Sequence, residues 1–84
     1  MNIAYLISTI EDYGKFVSIL INRDVSCWRL YWDERKVGSV CYIIDWREKR
    51  CYYGSLAYCI ESEYRIIKPK FVLDKFGNYH IEKE

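Results

Sequence analysis

The chain has 84 residues, of which 51% are hydrophobic, 18% aromatic and 30% charged, with a formal net charge of +1. That length holds a single domain, residues 1–84, and a fold of this size buries only roughly 60–65% of the surface its unfolded chain exposes, so aromatic mass has to offset the short length. A composition this apolar excludes a disordered chain, and the near-neutral charge gives no overall field to draw a polyanion.

The opening NIAYLI is a candidate extra strand. Its apolar run is about a quarter of a membrane span and has neither the charged flank nor the cleavage site of a signal peptide, so a cytoplasmic protein without membrane contact is expected, as a monomer or homodimer. STIEDYGKFVSILINRD then predicts a helix from Thr9 to Asn22: Ser8 or Thr9 can cap it, Glu11 stands three after Ser8 as in a capping box, and acids fill the first turn. Ile10, Tyr13, Phe16, Val17, Leu20 and Ile21 recur at intervals of three and four and draw one apolar stripe that packs on a sheet. Gly14, in its middle, costs about 1 kcal/mol relative to alanine and suggests close approach to a strand.

After Asp24 the period changes to two. SCWRLYW predicts a strand, DERK a turn, VGSVCYIID a return strand, WREKR a connection, and CYYGSLAYCI a third strand with Gly54 as a bulge or close-approach point. These three strands make an antiparallel meander. FVLDKFGNYHI predicts a further hairpin in which Asp74 opens a type I turn and Gly77 supplies the left-handed position.

Alternation sorts the meander into two faces. Trp28, Leu30, Trp32, Val40, Tyr42, Ile44, Leu56, Tyr58 and Ile60 form a bulky face for the helix. Cys27, Arg29, Tyr31, Ser39, Cys41, Ile43, Cys51, Tyr53, Ser55, Ala57 and Cys59 form the other, which the C-terminal hairpin is expected to cover, with a partner surface as the alternative. The fold class that follows is α+β: one amphipathic N-terminal helix packed on an antiparallel sheet of four to six strands.

Little points to catalysis. The cysteines at 27, 41, 51 and 59 include no C-x-x-C pair, so a zinc site is not expected, and without a sign of secretion they read as reduced, small apolar residues. His80, the one imidazole, reads as a solvated strand residue rather than the base a nucleophilic cysteine requires. Glu61 and Glu63 straddle Ser62 as paired carboxylates do in acid–base sites, yet acids at such turns are usually just solvated. No catalytic residue, metal or cofactor is assigned.

VGSVCYIIDWREKRCYYGSLAYCIESEYR resembles the middle of the GNAT-type N-acetyltransferases: a strand beginning near V-G, a charged turn, and a strand ending in a pattern like G-Y-x-x-x-P-E-Y-R. The resemblance covers residues 26–65 and is sharpest at AYCIESEYR. In that superfamily the Tyr-Arg leads into a glycine-rich loop and helix that hold the pyrophosphate of acetyl-CoA. Here the chain continues IIKPKFVLDKFGNYHIEKE, Ser62 replaces the usual proline, and Ser55 stands where many members carry an acid. The resemblance implies related central strands without the cofactor-binding half.

The basic cluster DWREKR places Arg47, Lys49 and Arg50 beside Trp46, Tyr52 and Tyr53. Cations interleaved with aromatics are what single-stranded RNA and DNA binders use, but Asp45 and Glu48 cancel part of the field. Trp, Tyr and Arg also dominate the energetic centres of protein interfaces. Trp28 and Trp32 are expected on the helix face, which leaves Trp46 as the tryptophan standing outside. The candidate partner surface is therefore Trp46, Arg47, Lys49, Arg50, Tyr52 and Tyr53, with Arg29 and Tyr31 from the cysteine-bearing face. The expected function is a small non-enzymatic protein-binding module, an inhibitor or regulator similar in type to immunity proteins and to the anti-defence proteins of phages and mobile elements. A degenerate acetyltransferase-like domain and a single-stranded nucleic-acid binder are the alternatives.

Overall fold

The structure is a computed structural model that describes residues 2–27 and 30–82. It is α+β. Strand β1 (Ile3–Tyr5) comes first, followed by helix α1 (Ile10–Asn22), a single 3-10 turn (Glu34–Lys36), strands β2 (Val40–Asp45) and β3 (Arg50–Ser55), helix α2 (Leu56–Glu61), strand β4 (Arg65–Ile67) and the hairpin β5 (Phe71–Leu73) and β6 (Tyr79–Ile81). Among the described residues one sheet has the order β3-β2-β1-β4, and β5-β6 form a separate pair.

Two parts of the expected fold class are corrected. The helix is not the first element, because Ile3–Tyr5 of NIAYLI form β1, which lies inside the sheet; and the sheet is mixed, since β1 pairs antiparallel with β2 but parallel with β4. The cause is α2. It carries the chain from the end of β3 to the far side of β1, and such a crossover lays β4 parallel to β1, where a tight turn would have made it antiparallel.

Helix α1 forms as its sequence dictates. Thr9 is the N-cap, its Oγ1 accepting the Asp12 N–H at 3.1 Å, with Glu11 and Asp12 in the first turn. Phe16 and Leu20 are fully buried, in a cluster with Ile7, Val25, Tyr42 and Cys51. Aromatic rings tie the helix to the sheet, with centroid separations of 5.8 Å for Tyr5–Phe16, 5.8 Å for Phe16–Tyr42 and 5.6 Å for Tyr13–Tyr42. The stripe differs from expectation at its edges: Ile10 and Ile21 are exposed, while Ile19 is buried, because the hairpin also packs on α1 and turns the covered face toward Ile19. Gly14 makes no close approach, since a Cβ placed there meets nothing within 4 Å.

Three strand assignments change. The described residues of 26–32 form no first meander strand: Ser26 makes one parallel bridge to Arg50 and the Cys27 carbonyl accepts the Leu30 N–H at 2.9 Å, while Trp28 and Arg29 lie outside the described residues. CYYGSLAYCI stops being a strand at Ser55. There the Ser55 hydroxyl accepts the Tyr58 N–H at 3.0 Å and caps α2, which buries Cys59, packs Leu56 against the sheet and exposes Tyr58 and Ile60. Gly54 is not a bulge, as β2–β3 register is continuous from Val40↔Ser55 to Asp45↔Arg50. It is a close-approach point, where a Cβ would lie 3.3 Å from Tyr58 Cδ2.

The faces follow from this register. Ile44↔Cys51 and Tyr42↔Tyr53 are cross-strand pairs, so Cys51 lies on the α1 face with Tyr42 and Ile44. Cys41 and Cys59 are buried on the opposite face with Ala4 and Ile43. The four cysteines therefore do not share a face, and Leu56, Tyr58 and Ile60 are not on the α1 face. The second face is covered by α2 and not by the C-terminal hairpin, whose Phe71 and Ile81 pack instead against the α1 cluster. The hairpin itself has the expected turn: Asp74 Oδ1 accepts the N–H groups of Phe76 at 2.8 Å and Asn78 at 2.9 Å, and Gly77 takes a φ of 84°.

Candidate functional site

The β2–β3 connection is a stiff turn. Asp45 Oδ1 accepts the backbone N–H groups of Arg47 at 3.1 Å and Glu48 at 3.0 Å, and Lys49 closes the turn in the left-handed region at a φ of 55°. This geometry lifts Trp46 out of the strand alternation, leaving it 42% exposed. Its indole meets the Arg23 guanidinium at 5.3 Å, and Lys49 Nζ donates to the Arg23 carbonyl at 3.4 Å. The turn is thereby held against the C-terminus of α1. Arg47, Lys49 and Arg50 are exposed around it.

Trp46 stands between two hollows. The larger, about 580 Å³, has Ile3, Tyr5, Arg65 and Ile67 of β1 and β4 as its floor. Ile19 and Arg23 of α1 form one wall, and His80 and Ile81 of β6 the other. It exists because α1 covers the β2–β3 half of the sheet and the hairpin stands off the β1–β4 half. The second hollow, about 490 Å³, shares Ile3, Tyr5 and Trp46 and continues along Ile43, Tyr52 and Tyr64. Register pairing of β1 with β2 is confined to Tyr5↔Tyr42, so the sheet is open between the strand ends that flank Trp46.

The other sequence-predicted residues do not all gather here. Tyr52 lies on the α2 face; a hydrogen bond with Tyr64, then burial, pushes its phenol up to about 12. Tyr53 lies on the α1 face, edge-on to Tyr31 with centroids 5.5 Å apart. Lys36 Nζ donates to Tyr31 Oη at 3.0 Å, which lowers the Tyr31 pKa, while the hydrogen bond to Tyr31 raises that of Tyr53. The structure thus brings Trp46, Arg47, Lys49 and Arg50 together, and places Tyr52 on one side of the sheet and Tyr31 with Tyr53 on the other. Arg29 lies outside the described residues. Sequence reasoning missed Arg23, which stacks on Trp46, and Arg65, Ile3 and Tyr5, which line the same hollows; long-range packing brings them there and they carry no local signal.

As to chemistry, the thiols of Cys51 and Cys41 are pushed up to about 12 and about 11, in each case chiefly by burial, which keeps them protonated and poorly nucleophilic at neutral pH. His80 Nε2 lies 2.7 Å from Asp74 Oδ2. Asp74 is held below the ordinary carboxylate range by the Asn78 N–H first and by His80 second. Among the described residues no three His, Cys, Asp or Glu side chains cluster to hold a metal ion, and no helix is long and apolar enough to cross a membrane. AYCIESEYR, where the acetyltransferase resemblance is sharpest, runs along α2 and through the turn into β4. Comparison with known proteins finds no match to any family model, curated protein or solved structure.

Proposed function

We propose that this protein is a non-catalytic binding module whose partner is another protein, engaged around Trp46, and that it acts as an inhibitor or regulator of that partner. The observation that supports this reading is the placement of Trp46: half-exposed, on a turn braced by Asp45, stacked by Arg23 and flanked by two hollows. An aromatic anchor with an arginine rim and concave surroundings is the anatomy of an interface centre. Rigidity adds to affinity, because less freedom is lost on binding.

The test is capture of a partner from the native host's lysate by the immobilised protein, with Trp46→Ala in parallel. The variant should bind the captured partner about tenfold or more weakly, the 1.4 kcal/mol scale of a modest energetic centre. Retention of full affinity by a folded Trp46→Ala protein refutes the assignment. A second reading, single-stranded nucleic acid, draws on the cation stacked on an exposed indole beside Arg47 and Lys49; Asp45, Glu48 and Glu82 oppose it. It would be favoured by binding to oligothymidylate that weakens steeply with salt.

A further inference from the structure

The sheet face under α2 holds two of the four cysteines, and they meet. Cys41 and Cys59 are both fully buried there with Ala4 and Ile43, whereas Cys51 and Cys27 belong to the α1 cluster on the other side of the sheet. Register sets Gly54 directly opposite Cys41, and the Cβ positions of such a cross-strand pair stand about 4.5–5.5 Å apart on one face. Gly54 has no side chain of its own. The sulfur of Cys59 packs over it instead, 3.8 Å from where a Cβ would stand, and so beside Cys41. There the Cys41 thiol donates a hydrogen bond to the Cys59 sulfur. The pairing of these two is forced, since the sheet itself separates them from Cys27 and Cys51.

α2, which carries Cys59, is also the element best able to move. At six residues it is too short to persist alone, and it is held by the Ser55 cap and by the burial of Leu56 and Cys59. While it is closed both thiols are raised by burial and stay protonated, and the hydrogen bond from Cys41 offsets part of that rise at Cys59. Cys59 is therefore the thiol that reacts first once α2 opens.

We propose that Cys41 and Cys59 are a redox pair, converted by a low-molecular-weight disulfide such as oxidised glutathione into an internal disulfide that fastens α2 to β2, at a rate set by the opening of α2. With α2 open, Cys59 loses its proton to water and its thiolate attacks one sulfur of glutathione disulfide. A mixed disulfide forms, and one glutathione leaves as the thiolate and takes up a proton. Cys41, deprotonated in turn, then attacks the Cys59 sulfur and expels the second glutathione, which is protonated likewise. Two protein thiols lose two electrons and two protons, and one glutathione disulfide gains them as two thiols. This pair is independent of the surface around Trp46.

The experiment is incubation of the reduced full chain with oxidised glutathione at neutral pH, followed by alkylation under denaturing conditions and mass spectrometry. Two thiols should become unreactive to the alkylating agent, and the tryptic peptides 37–47 and 51–65 should be joined, with fragmentation placing the bond at Cys59 and not at Cys51. Dithiothreitol should restore all four thiols. Ser55→Ala, which loosens α2, should form the bond about fivefold faster. The linkage map uses the unaltered chain, so it decides the pairing whatever the variant does. Cys27 joined to Cys51 alone, glutathione adducts that never resolve, or four alkylated thiols after prolonged oxidation would overturn the pair, and an unchanged rate in Ser55→Ala would overturn the role of α2.

Discussion

Replacing Gly14 by alanine separates two accounts of α1. If the glycine were there to admit a strand, as its place in the apolar helix suggests, a methyl group would clash and the protein would lose stability. In the structure Gly14 is exposed, its φ is not positive, and an added Cβ meets nothing within 4 Å. Only the intrinsic terms remain. Alanine in a helix interior is favoured over glycine by about 0.5–1 kcal/mol, through the smaller backbone entropy of the unfolded chain. For a domain of this size 1 kcal/mol moves the midpoint by roughly 4–8 °C, so Gly14→Ala should raise Tm by about 2–8 °C. Thermal melts followed by circular dichroism, with urea titrations to check that the m-value is unchanged, measure it. A lower Tm in Gly14→Ala would show that some element packs on that face of α1 and that the helix is placed wrongly.

Three further outcomes follow from the packing. Phe16→Ala should cost about 3–5 kcal/mol, whereas Ile21→Ala, at a position 62% exposed, should stay within about 0.5 kcal/mol in the same urea titrations; equal losses would restore the stripe read from periodicity. Ser55→Ala removes the cap of α2 and should cost about 1 kcal/mol, with amide exchange faster at Tyr58 and Cys59; an unchanged exchange pattern would argue that 56–61 is not a capped helix. Stability should fall as the pH rises above about 9. The Cys51 and Cys41 thiols are raised from 9.0 to about 12 and about 11, so the unfolded chain loses these protons first and binds fewer than the native state, a difference that destabilises the fold between those values. Urea midpoints unchanged up to pH 11 would contradict the burial of these thiols.

Local order was legible wherever short-range chemistry decides it. Thr9 starts α1 by accepting one of its first N–H groups, the acids after it favour the positive end of the helix, and Asp74 with Gly77 turns the last hairpin, because caps and turns are closed by atoms a few residues apart. The exposed position of Trp46 was legible for the same reason: Asp45 builds the turn that frees it from the strand pattern. What periodicity could not decide was which state an apolar run adopts once it is buried. SLAYCIE alternates well enough for a strand, yet the Ser55 cap and the burial of Leu56 and Cys59 on one side make it a helix. With α2 in place, β4 runs parallel to β1 and the hairpin moves from the cysteines to α1, while the β2–β3 register sends Cys51 and Cys41 to opposite faces. The hollow beside Trp46 belongs to that same level: Ile3, Arg23, Arg65 and His80 are distant along the chain, and they border one space because the hairpin packs on α1 and stands off β1 and β4.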